Sequence, residues 1–308
     1  MHTHLRNAVR VALLAALAIA AFGVASAQAA LPVPYSFTQA EAESVATGAA
    51  APAGANDWSC KPSAAHPRPV VLVHGTVENQ RSNWNALSPL LKNNGYCVFT
   101  FNYGAGAFTL GQFYGLAHIS SSAGELKTFV DKVLSYTGAS KVDLVGHSQG
   151  GMMPRWYIQF LGGASKVANM VALSPSNKGT TLDGISNLAN IVPGLASVFV
   201  YSWCPACQDQ VVGSSALTTL NAGGGTSASV KYTNIVTKYD EVVTPYTNGF
   251  LSGSNVTNIT VQDGCALDLG EHLAISYDRR ALWYVLKALD PGYSASKPCT
   301  IVTPLVGG

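Results

Sequence analysis

The stretch Lys141-Val142-Asp143-Leu144-Val145-Gly146-His147-Ser148-Gln149-Gly150-Gly151 constrains this chain more than any other. It joins a buried-strand pattern to a helical one, Met152 to Leu161, through the spacing G-x-S-x-G. That spacing alone arises by chance; between a strand and a helix it specifies a sharp turn with a serine at its apex. The glycines supply space. A side chain on either flank of so tight a turn collides with its neighbours, and the serine is forced into a strained backbone conformation. Ser148 is therefore expected at the carboxyl end of a sheet.

The remaining sequence supplies that sheet. From Pro69 onward, short apolar runs alternate with amphipathic stretches: Val70 to Val73, Tyr96 to Phe101, Lys141 to Val145, Asn169 to Leu173, Val230 to Val236 and Asn258 to Val261. Ser122-Ala123-Gly124-Glu125 fits a capping box, opening a helix through Leu126, Phe129, Val130, Val133 and Leu134 that Gly138 stops. Leu87, Leu90 and Leu91 mark a helix ending near Gly95, and Ala274 to Leu289 a last one, stopped by Pro291-Gly292. Strands alternating with helices predict an α/β fold, a mostly parallel central sheet flanked by helices on both faces. Residues 30 to 60, rich in Ala, Pro, Ser and Gly, read as an extended, partly ordered lead-in.

One segment breaks the alternation. Between Leu182 and Val212 lie Ile191, Val192, Leu195, Val198, Phe199, Val200 and Trp203, around Pro193-Gly194. An ordinary packed helix with its loop is one account; the expected one is an apolar cap over a binding cleft.

Before the core, an apolar run from Val11 to Val24 follows His2, His4, Arg6 and Arg10, and Ala25-Ser26-Ala27 and Ala27-Gln28-Ala29 fit signal-peptide cleavage sites. The run is shorter than the roughly 20 apolar residues of a membrane span. Residues 1–29 are thus expected to be a signal peptide, and residues 30–308 a single exported domain without a transmembrane segment. At 308 residues, 48% hydrophobic and 11% charged, the chain can bury a large core and is no disordered protein. Without Arg6 and Arg10 its 18 basic residues become 16, equal to the 16 acidic ones. That neutrality argues against nucleic acid as a partner; a monomer is expected.

The six cysteines are Cys60, Cys97, Cys204, Cys207, Cys265 and Cys299, an even number that reads as disulfides in an exported chain. Six allow 15 pairings. Cys204-Pro205-Ala206-Cys207 has redox spacing but lies in an irregular apolar stretch, so a local disulfide is expected. No second ligand pair at matched spacing points to zinc, and no metal or cofactor is expected. Asn255-Val256-Thr257 and Asn258-Ile259-Thr260 fit the glycosylation pattern.

A serine at its ordinary pKa is a poor nucleophile and needs a base. His2, His4, His66, His74, His118 and His147 all precede Ser148; only His272 follows it, as the chain order serine, acid, histidine requires. His147, beside the nucleophile, should point its ring away from it, and His74 should shape a loop. The acid lies among Asp183, Asp209, Asp240, Glu241, Asp263, Asp268 and Glu271. Asp240 and Asp263 stand at the ends of clear strands. Asp240 is expected to orient the imidazole, with Asp263 the alternative. Donors for a developing oxyanion are expected from the backbone N–H of Gln149 and of Thr76, in Val73-His74-Gly75-Thr76, with the Thr76 hydroxyl a third.

Val73-His74-Gly75-Thr76, Gly146 to Gly151, Ser174-Pro175-Ser176-Asn177-Lys178-Gly179-Thr180, Tyr239-Asp240-Glu241-Val242-Val243-Thr244-Pro245 and Glu271-His272 together resemble the secreted actinobacterial triacylglycerol lipases of the class 2 lipase family. The resemblance covers roughly residues 55 to 290; a more distant one is to yeast lipase B. It implies an α/β-hydrolase fold, carboxylic-ester hydrolysis and the triad Ser148, Asp240 and His272. The likeness to lipase B implies an oxyanion hole of Thr76 and Gln149. It also implies the pairs Cys60–Cys97 and Cys265–Cys299, leaving Cys204–Cys207 as a local extra. His147 stands where lipase B has a tryptophan, so that enzyme's small alcohol pocket is not carried over. The expected partner is a lipid or ester substrate, such as an acylglycerol at an oil–water interface. A cutinase-like polyester hydrolase and an acyltransferase use the same triad, and a non-catalytic lipid binder on this scaffold is the alternative of a different class.

Overall fold

A computed structural model describes residues 29–106, 109–191 and 203–308. Six strands form one sheet: β1 (Val70–Val73), β2 (Val98–Thr100), β3 (Val142–His147), β4 (Val167–Leu173), β5 (Lys231–Val236) and β6 (Val256–Thr260). Their spatial order is β2-β1-β3-β4-β5-β6, and every neighbouring pair is parallel. Parallel strands need cover on both faces. Accordingly every residue of β1, β2 and β3 is buried.

The helices are α1 (Phe37–Thr47), α2 (Gln80–Trp84), α3 (Leu87–Asn93), α4 (Ile119–Thr137), α5 (Gln149–Met152), α6 (Pro154–Phe160), α7 (Leu182–Ile191), α8 (Pro205–Asp209), α9 (Ser215–Asn221) and α10 (Arg279–Leu289). Several differ from the sequence expectation for physical reasons. α4 begins three residues before Ser122, because the distant Asp209 carboxylate accepts the Ile119 N–H at 2.9 Å. Ser122 is buried inside the helix, and Glu125 accepts the Gly104 N–H at 3.1 Å instead of closing a capping box. Gly138, at φ 75°, does end α4. The lead-in is not simply extended: Ser36 caps α1, which buries Phe37 and Ala40. The helix expected over 274–289 is two pieces, a 3-10 turn Ala274–Tyr277 and then α10, separated where Asp278 accepts the Arg280 N–H. The helix expected over 152–161 is broken at Pro154, which has no N–H to continue the ladder.

Of the expected cap, residues 192–202 lie outside the described residues. The chain beyond residue 203 is tied down. Ala206 N–H donates to the Leu116 carbonyl at 3.0 Å, and Thr180 exchanges backbone hydrogen bonds with Gln210 and Val212 at 2.9 and 3.0 Å. The cysteines pair as Cys60–Cys97, Cys204–Cys207 and Cys265–Cys299. The first fastens the segment before β1 to the start of β2, and the second closes the first turn of α8.

Strand order reverses direction between β1 and β3, the place where an open parallel sheet leaves a crevice beyond its carboxyl ends. There β3 turns into α5 through Ser148, at φ 54° and ψ −123°. The packing around this turn admits no further atoms. A Cβ on Gly146 would stand 1.7 Å from the Gly150 carbonyl oxygen, and one on Gly150 would stand 2.1 Å from that of Val73. These are backbone atoms of two adjacent strands and the helix, so nothing cheap can move. Gly150→Ala should therefore destabilise the protein by at least about 3 kcal/mol, at the upper end of overpacking penalties. A denaturant midpoint unchanged from wild type would contradict this packing.

Candidate active site

Four loops meet at the crevice, those following β1, β3, β5 and β6. Ser148 is almost buried, and its Oγ lies 3.0 Å from His272 Nε2. His272 Nδ1 faces both oxygens of Asp240 at 2.9 Å. A carboxylate only accepts, so Nδ1 carries the proton and Nε2 presents its lone pair to the serine hydroxyl. Asp240 is aimed by its own loop: its Oδ1 accepts the N–H groups of Val242 at 3.0 Å and Val243 at 2.7 Å. The structure thus brings Ser148, His272 and Asp240 together. It leaves Asp263 apart, with an exposed side chain; its backbone oxygen accepts from Arg280 and its N–H donates to the Thr260 carbonyl.

The loop bearing His272 is fixed from two sides. Thr237 Oγ1 donates to the Gly270 carbonyl at 2.5 Å. Glu271 turns its carboxylate back onto the N–H groups of Leu273 and Ala274 at 2.7 and 3.0 Å, and of Leu305 at 2.8 Å. Burial alone lowers the affinity of His272 for a second proton. The Asp240 charge and hydrogen bond, with Glu241 and Glu271 behind them, outweigh it and raise the imidazole to about 9.

The oxyanion side is built on β1. His74 is fully buried, and burial pushes its pKa down to about 4, so the ring is neutral. Its Nδ1–H donates to the Gly75 carbonyl at 2.8 Å while Nε2 accepts the Tyr103 N–H at 3.4 Å. In a planar trans peptide, clamping that carbonyl points the Thr76 N–H the opposite way. Neither the Thr76 N–H nor the Gln149 N–H donates to another group among the described residues. Gln149 is the chain neighbour of Ser148 at the start of α5, and Thr76 touches the Gln149 side chain. The Thr76 hydroxyl, expected as a third donor, is already engaged: it donates to Gln149 Oε1 at 2.6 Å and accepts from Gln210 Nε2 at 2.9 Å. Gln210 is held in turn by Ser176, whose hydroxyl donates to its Oε1 at 2.8 Å.

Sequence reasoning passed over Gln210 and Glu78, weighed Glu271 only as a candidate acid, and expected the His147 ring to turn away from Ser148 without saying what it holds. Gln210 lies in a segment whose sequence signal is its apolar residues. The His147 ring makes no hydrogen bond to Ser148; it reaches Glu78, Asn83 and the His272 carbonyl instead. Its position next to the nucleophile was the one available signal. Among the described residues, no group of three or more His, Cys, Asp or Glu side chains is arranged to hold a metal ion.

The profile of the family described as Lipase (class 2) matches residues 67–279, more than half of the chain. Lipase B of Pseudozyma antarctica is 32% identical over 135 residues, which cover 42% of this chain and 36% of that protein. A triacylglycerol lipase of Pseudarthrobacter phenanthrenivorans is 32% identical over 93 residues, 29% of this chain and 27% of that protein. The matched stretches thus span about a third or less of these relatives. Among solved structures, Aspergillus fumigatus lipase B superposes with a TM-score of 0.57 at 21% identity, over 80% of this chain and 56% of that one. The six-stranded parallel sheet, its helical crossovers and this likeness make the fold an α/β-hydrolase fold. The chain belongs to the class 2 lipase family.

Proposed function

We propose that this protein is an exported carboxylic-ester hydrolase that cleaves acylglycerols through an acyl-enzyme on Ser148. The observation that carries the proposal is the unbroken line Ser148 Oγ, His272 Nε2, His272 Nδ1, Asp240 at 3.0 and 2.9 Å, set at a strained strand-to-helix turn. The acylglycerol substrate is inferred from the family and from the names of the matched relatives. Export is inferred from the signal-like residues 1–29, and three disulfides suit an oxidising compartment. Among the described residues, no helix is long and apolar enough to cross a membrane.

In this proposal the Ser148 oxygen bonds to the ester carbonyl carbon as His272 Nε2 takes the hydroxyl proton. The carbonyl oxygen becomes an oxyanion facing the N–H groups of Thr76 and Gln149, donors fixed before the reaction begins. His272 then gives its proton to the departing alcohol, leaving an acyl-enzyme. Water repeats the sequence: its oxygen attacks, His272 takes its proton, and the proton returns to Ser148 as the carboxylic acid leaves. Asp240 holds the tautomer and stabilises the imidazolium without taking the proton.

Ser148→Ala should fold normally and lose about three orders of magnitude or more in turnover of p-nitrophenyl esters and emulsified triacylglycerol. Wild-type turnover in the folded variant would remove the assignment. The base works only when neutral, and His272 is raised to about 9. Consequently kcat/KM should climb with pH along a limb well above the ordinary histidine value. Asp240→Asn removes the strongest raising influence, so its limb should shift to lower pH while kcat falls by about four orders of magnitude. A wild-type limb at or below 6.5 in a pH–rate profile would contradict the electrostatics described for His272.

A further inference from the structure

Behind the reacting groups lies a second polar cluster that the mechanism does not use. His147, Asn83 and Glu78 are buried, the first two completely. His147 Nε2 is 2.8 Å from the His272 carbonyl oxygen. A carbonyl only accepts, so Nε2 carries a proton and donates it there. On its other side, His147 Nδ1 lies 3.0 Å from Glu78 Oε2 and 3.1 Å from Asn83 Nδ2. The same Glu78 oxygen and Asn83 Oδ1 both accept the Gly75 N–H, at 3.0 and 2.8 Å. Glu78 Oε1 has no partner among the described residues, so its whole hold runs through Oε2.

One pair of side chains, Glu78 and His147, thus touches two stretches of backbone that present catalytic groups, each also held by other contacts. One is the peptide of His272 itself. The other is the loop presenting the Thr76 N–H, which needs outside support: Val77, the next residue, is β-branched and sits at φ 58°, a strained conformation. Space is committed as well, since a Cβ on Gly75 would stand 2.2 Å from Glu78 Oε2. Apolar side chains of similar volume would fill this space without the desolvation penalty of a carboxylate and an imidazole.

We propose that Glu78 and His147 act as one positioning unit, holding the His272 main chain and the Gly75–Thr76 loop in register around Ser148. The proposal rests on Ser148, Asp240 and His272 being the catalytic triad.

The test is steady-state kinetics on a soluble p-nitrophenyl ester, per mole of folded enzyme, for Glu78→Gln, His147→Phe, His147→Gln and the double variant Glu78→Gln/His147→Phe. Loss of register should lower kcat about 10- to 100-fold in Glu78→Gln and His147→Phe, with KM changed less than about threefold. The double variant should be no worse than the poorer single, because the two side chains work as a unit. His147→Gln, which keeps a donor for the His272 carbonyl, should recover part of the loss. Near-UV circular dichroism reports folding; should His147→Phe or the double variant not fold, Glu78→Gln and His147→Gln decide. Values of kcat within about twofold of wild type in the folded variants, or losses that multiply in the double variant, would overturn the proposal. Ser148→Ala separates the two levels. If it is dead while the pair variants are fully active, only the positioning role fails; if it is active, the triad reading fails first.

Discussion

Everything at this site depends on how closely β3 can turn into α5 under the end of β1. Ser148 occupies a backbone conformation that costs on the order of 1–3 kcal/mol, and such strain persists only where surrounding structure over-determines it. Here the over-determination is steric and specific. Gly146 lies against the Gly150 carbonyl, Gly150 against the Val73 carbonyl, and Gly151 against Pro175. None of these three glycines has a left-handed φ; they are needed for closeness, and the strained φ is left to the serine. The buried sheet supplies the rigidity, with β3 paired to β4 from Val142 to His147 and to β1 from Asp143 to Gly146.

Around that turn the fold places buried carboxylates and satisfies them from the main chain. Asp240 takes the N–H groups of Val242 and Val243, Glu271 those of Leu273, Ala274 and Leu305, and Glu78 that of Gly75. Each bond replaces water lost on burial and, in the same act, fixes a loop. Asp240, with Glu241 and Glu271, biases the surroundings of His272 negatively, which explains why its imidazole rises to about 9 although burial pulls the other way. His74 shows the contrast. Equally buried but bonded to a carbonyl and an amide, it falls to about 4 and serves as a neutral clamp.

How much was legible in the sequence depended on the range of the interactions involved. The strands could be read because burial on both faces leaves short apolar runs, and the turn because its glycines are consecutive letters. The chain order of serine, acid and histidine left one histidine and two strand-end aspartates. It was the spatial proximity of the β5 and β6 loops that separated Asp240 from Asp263. Interactions spanning long stretches of chain were not legible. The start of α4 is set by Asp209, ninety residues away, so a local capping box misplaced it. Gln210 meets Thr76 across 134 residues, and His147 meets the His272 carbonyl across 125. α1 buries few side chains, among them Phe37 and Ala40, too few to leave a periodic signature in an alanine-rich stretch.

The most direct measurement of the central claim is covalent capture. A fluorophosphonate reacts only with a hydroxyl made nucleophilic by a neighbouring base, and peptide mass spectrometry locates the adduct. One phosphonyl group per chain, on Ser148 and absent when the protein is unfolded before exposure, is the result predicted. A folded protein left unmodified, or modified at another residue, would show that the hydroxyl at the turn is not the activated one.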